Sequence, residues 1–86
     1  MKLSIVVEDR VVVIDGLGFG KLTLIGVPEY AHALQWNDGK GWVEYSDGRL
    51  NEGITALPQW ATDACAAHEA AVKLATEIPV GILVGV

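Results

Sequence analysis

Apolar and polar positions alternate in blocks through the first half of the chain. Residues 3–7 form an apolar, largely β-branched run, Glu8-Asp9-Arg10 is polar, residues 11–14 are β-branched again, and Asp15-Gly16 ends that run. This pattern predicts a β-hairpin with a short polar turn. Gly16, Gly18 and Gly20 then punctuate a loop around Leu17 and Phe19, and the weak alternation of residues 21–25 predicts a third strand. After a turn at 26–29, residues 32–36 and 42–45 read as two further strands. Asn37-Asp38-Gly39-Lys40-Gly41 separates them, and its Asp-Gly pair supplies the positive φ that tight hairpin turns require. Residues 32–45 are therefore a second hairpin, with Trp36 and Trp42 flanking its turn and free to pair across it.

From residue 59 to 78 the period changes from two to 3.6. Residues 50–57 read as a connection, and Pro58 suits the first position of a helix, where its missing N–H is not needed. Trp60, Ala64, Ala67, Ala71, Leu74, Ala75 and Ile78 fall on one helical face, which Ala61, Cys65, His68 and Val72 extend to one side. Glu69 and Lys73 make a favourable i,i+4 pair on the polar side. Pro79 stops the helix. Termini are usually polar and frayed, yet residues 79–86 carry no charged side chain. Val80, Ile82, Leu83, Val84 and Val86 there predict a last strand or a subunit contact.

These elements predict one α+β domain over residues 1–86. It comprises a small antiparallel sheet of about five strands, a C-terminal helix, and a final apolar segment. At 86 residues there is room for one domain, and the 51% apolar content suffices for a core with some surplus for a partner. The formal charge is −5, and the six basic residues are scattered rather than clustered. This argues against a nucleic-acid partner, which needs a basic patch. Cys65 is the single cysteine, so no internal disulfide forms. The apolar start is too short for a signal segment and no run approaches a membrane span.

Candidate chemistry is thin. The run Gly16-Leu17-Gly18-Phe19-Gly20-Lys21 lacks the spacing of a phosphate loop and precedes β-branched rather than helical sequence. Cys65 and His68 have ligand-like spacing but bring only two donors, fewer than zinc sites use. Adding Asp63 gives no triad, because on a helix it lies about 140° around from His68. The reading is of a protein without catalytic residues, cofactor or metal. Its contact residues are instead expected among Trp36, Trp42 and Tyr45, as an aromatic platform, and Ile82, Leu83 and Val84 in the apolar tail.

One resemblance adds to this. The segment His32-Ala33-Leu34-Gln35-Trp36-Asn37 continues with Gly41, Glu44-Tyr45, Asp47-Gly48, Asn51-Glu52, Ile54-Thr55 and Leu57-Pro58-Gln59-Trp60-Ala61. Together with the opening residues 1–7 and Asp15-Gly16, it resembles small uncharacterised proteins of tailed bacteriophages and prophages, often encoded near tail-fibre genes. The likeness spans about residues 1–70 and brings no catalytic residues; residues 79–86 lie outside it. It implies a non-enzymatic accessory protein that binds another protein, as a tail-fibre component or fibre-assembly factor, with self-association as a further expectation. Synthesis would be in the bacterial cytoplasm, and the virion a later destination. Two rival readings are a small carbohydrate- or ligand-binding module using Trp36, Trp42 and Tyr45, and a phage inhibitor of a host protein.

Overall fold

The computed structural model describes residues 1–77. They form a six-stranded antiparallel sheet and one C-terminal helix, an α+β fold. The strands are β1 (Lys2–Val6), β2 (Val11–Ile14), β3 (Leu17–Phe19), β4 (Ala31–Asn37), β5 (Lys40–Tyr45) and β6 (Glu52–Ile54), and the helix is α1 (Gln59–Glu77). The spatial order is β3-β2-β1-β4-β5-β6. Each half of the sheet is a three-stranded meander of sequence neighbours, and the halves join where β4 pairs with β1. Strands β1–β4 thus follow the Greek-key path, three hairpin-linked strands and a fourth returning beside the first.

Both two-residue turns have the same chemistry. Asp15 and Gly16 between β2 and β3, and Asp38 and Gly39 between β4 and β5, all have positive φ. That geometry matches the right-handed twist of the flanking strands, and Asp-Gly tolerates it. The second hairpin is as the sequence predicts. The first continues beyond expectation: the glycine-rich stretch read as a loop carries the edge strand β3, which pairs Phe19 with Val12 and Leu17 with Ile14.

Residues 21–25, expected as a strand, are instead the start of the crossover from β3 to β4. Their alternation is real, since Leu22 and Leu24 pack on the core while Lys21, Thr23 and Ile25 are exposed. What they lack is a strand ladder: the Leu22 amide bonds the Arg10 carbonyl at 3.0 Å just before β2, but the segment joins no sheet pairing. The connection expected at 50–57 likewise contains the short edge strand β6. The expected final segment at 79–86, with Ile82, Leu83 and Val84, lies outside the described residues, as does Ile78.

The core lies between one face of the sheet and α1. Leu3, Ile5, Val12, Leu34 and Val43 point to that face and are almost fully buried, and Trp60, Ala61 and Ala64 meet them from the helix. The helix begins after Pro58, whose carbonyl accepts hydrogen bonds from the Ala61 and Thr62 amides at 3.0 and 3.1 Å. Its buried stripe is rotated from the expected one toward Ala61 and His68. Leu74, expected on the packed face, is 63% exposed, and Ala75 is exposed as well. The packing reason is that α1 lies over β2 and β3, so contact fades along its distal turns.

Candidate functional site

Sheet register divides the aromatic residues between faces. The two-residue turn pairs Asn37 with Lys40, Trp36 with Gly41 and Gln35 with Trp42. Side chains alternate along a strand, so Trp36 and Trp42 lie on opposite faces and do not pair across the hairpin. Trp36 and Tyr45 pack against the core, whereas Trp42 stands on the open face and is 43% exposed. Of the expected platform, Trp36 and Trp42 nevertheless border one cleft, and Tyr45 is not among the residues that line it. Tyr45 belongs to a different cluster: its hydroxyl donates to Glu52 at 2.7 Å, and the Arg49 guanidinium lies 4.5 Å from its ring centre.

Trp42 is held in place from the open face itself. Its indole N–H donates to Glu44 Oε2 at 2.9 Å, and the other carboxylate oxygen lies 3.4 Å from His32 Nε2. His32 reaches Glu44 from a register shift between Ala31 and Ala33, where β4 carries an extra residue; such bulges redirect side chains. With its polar atom satisfied inside the protein, the indole presents a ring face rather than a donor.

Two open-face rows complete the site. One is Lys2, Asn37 and Lys40 across β1, β4 and β5; the next is Ser4, Gln35 and Trp42. A cleft of about 490 Å³ is lined by Lys2, Gln35, Asn37, Lys40 and Trp42 of these rows together with Trp36 and Gly41, within the range of small-ligand sites. Ser4 Oγ donates to Gln35 Oε1 at 2.8 Å, which leaves the Gln35 NH₂ as a donor. On the far side Trp42 is paired with Gly53 of β6, where a side chain would meet nothing within 4 Å. Of the residues that line the cleft, Trp36 and Trp42 are expected from the sequence, and Lys2, Gln35, Asn37 and Lys40 are not. The within-hairpin members were accessible from the turn length alone, whereas Lys2 joins them only through the long-range β1–β4 pairing.

His68 is buried where the helix meets the edge strand β3. It is 5% exposed, its Nε2 hydrogen-bonds the Leu17 carbonyl at 2.7 Å, and its ring meets Phe19 edge-to-face at 5.2 Å. Burial pushes the Cys65 thiol above its ordinary pKa, which disfavours the reactive thiolate. Asp63 is bonded to Gln59 Nε2 at 3.0 Å. Among the described residues no three His, Cys, Asp or Glu side chains group as a metal site, and no helix is long and apolar enough to cross a membrane. No family model matches the chain, and no curated protein or solved structure matches it.

Proposed function

We propose that this domain is a non-enzymatic binding module, an accessory protein of the tailed-phage kind that its residues resemble. Its ligand is captured on the open sheet face beside Trp42. The observation that carries this reading is an exposed indole whose only polar atom is tied to Glu44, next to a cleft lined by side-chain donors. An aromatic plate fixed before binding loses little side-chain freedom when a ligand arrives. The absence of catalytic function is supported by His68, buried against Leu17 and Phe19, and by the raised Cys65 thiol. The test is a glycan array probed with the labelled protein and with Trp42→Ala. Binding that disappears in the variant, with an unchanged melting midpoint, supports the reading; identical array profiles for both proteins would sink it.

A second reading, contact with another copy of the chain, is favoured by the distal half of α1. Leu74 is 63% exposed there, beside half-buried Ala71 and Val72. Light scattering of the parent and of Leu74→Asp tests it: a dimer mass that falls to the monomer value in the variant is the supporting result.

A further inference from the structure

We infer that the cleft beside Trp42 takes a sugar ring carrying a carboxylate, an inference that rests on the binding reading above. The first support is local charge. The chain has 11 acidic and six basic residues, yet the cleft is lined by Lys2 and Lys40 and by no carboxylate. Asp38, in the adjoining turn, is bonded to the N-terminal ammonium. Neither lysine side chain is in an ion pair among the described residues. Two unpaired ammoniums on an otherwise acidic domain select an anion, through charge-assisted hydrogen bonds.

The second support is the set of groups left free. Lys2, Lys40 and the Gln35 NH₂ are donors, and the Asn37 amide both donates and accepts. Carboxylate and hydroxyl oxygens satisfy such a set. A nucleobase edge mixes acceptors with amino or ring N–H donors, and those donors would face ammoniums, whereas a carboxylate only accepts. The third support is the plate. An aromatic face is electronegative and attracts polarised hydrogens, and a pyranose presents such C–H groups on one side and hydroxyls around its rim. Gly53 leaves the flank of Trp42 open for that ring to overhang. An acidic pyranose over Trp42, with its carboxylate toward Lys2 and Lys40, uses all three features.

The experiment is a two-dimensional ¹H–¹⁵N NMR titration of the full chain with digalacturonic acid and N-acetylneuraminic acid, alongside lactose and AMP. At least one acidic sugar, at millimolar concentration, should shift the Trp42 indole and the Gln35 and Asn37 side-chain amides. Trp42→Ala should abolish those responses. Lys2→Gln with Lys40→Gln should weaken binding about tenfold, as expected for two charge-assisted contacts in a partly wet site. Both variants should keep the parent melting midpoint. Added salt should weaken the acidic sugars but not a neutral one. Equal shifts with lactose, or tighter binding of AMP, would overturn the acidic-sugar assignment while leaving the cleft as a binding site. Silence of the Trp42 signals toward every probe would overturn the inference, and the Trp42 dependence on the glycan array would then decide whether the broader binding reading also falls.

Discussion

Gly41 faces Trp36 across the second hairpin because nothing larger fits there. A Cβ at residue 41 would come within 2.8 Å of the Trp36 Cα and run into the Gln35 carbonyl oxygen. Gly41→Ala should therefore destabilise by about 1–3 kcal/mol, the usual cost of overpacking. Gly53 is the contrasting case, with open space where its side chain would be. Gly53→Ala should be neutral or stabilising by up to about 1 kcal/mol, since it restricts the unfolded chain. Urea denaturation of the two variants checks both signs at once. Trp60 is buried where the helix meets the sheet, and Trp60→Ala should cost about 3–5 kcal/mol; a midpoint equal to the parent's would contradict that packing. Tyr45 makes a pH-dependent prediction. Its hydrogen bond to Glu52, then burial, then the Glu52 charge raise its pKa above the ordinary tyrosine value, with Arg49 opposing. The fold thus favours the neutral phenol. That contribution is complete below the unfolded-state pKa and is lost as pH rises through the folded one, in the alkaline range. Glu52→Gln should move the Tyr45 ionisation downward, as read from the tyrosine ¹³Cζ shift across an alkaline titration.

Between elements, the helix is fixed to the sheet by more than apolar contact. His68 ties α1 to the edge strand β3 through the Leu17 carbonyl and the Phe19 ring. His68→Ala leaves that carbonyl unpaired, at a cost of about 1–3 kcal/mol before any cavity is counted. Amide exchange should accelerate in β3 more than in β5, and uniform acceleration would show that the contact is not local. The same elements show what the sequence made legible. The 32–45 hairpin and the start of α1 were readable because Asp-Gly turns, period-two alternation and Pro58 act within a few residues. Strand β3 was not read, although Asp15-Gly16 carries the same turn chemistry as Asp38-Gly39, because three glycines obscured it. The crossover at 21–25 imitated a strand, since alternation reports which side chains are buried and not whether a ladder partner exists. Leu74 was misplaced for a related reason: a helical stripe continues in sequence after the surface it packs on has ended. Trp36 and Trp42, grouped from the sequence, do border one cleft without Tyr45, but Lys2 beside them depends on strand pairing that no local pattern encodes.

For the molecule as a whole, the place where β4 pairs with β1 governs how the chain finds its structure. Pairings within each three-stranded meander join sequence neighbours, and hairpins of that kind close within microseconds. Joining Ile5 to Leu34 instead closes a much longer loop, through the whole crossover. Long-range pairing of this sort slows folding, because loop entropy is lost before contacts compensate it. The transition state should therefore contain the β1–β4 seam, with α1 docking later. Leu34, fully buried at that seam, should lose about 2–5 kcal/mol on replacement by alanine, mostly as slower folding. Trp60→Ala should act mainly on unfolding. Stopped-flow chevrons of the two variants separate these cases: a Leu34→Ala effect confined to the unfolding arm would mean that the two meanders merge only after the barrier. If the seam is instead the barrier, a chain emerging from the ribosome holds its first meander unpaired along β1 until β4 has been made, and that waiting edge is where another strand can bind in its place.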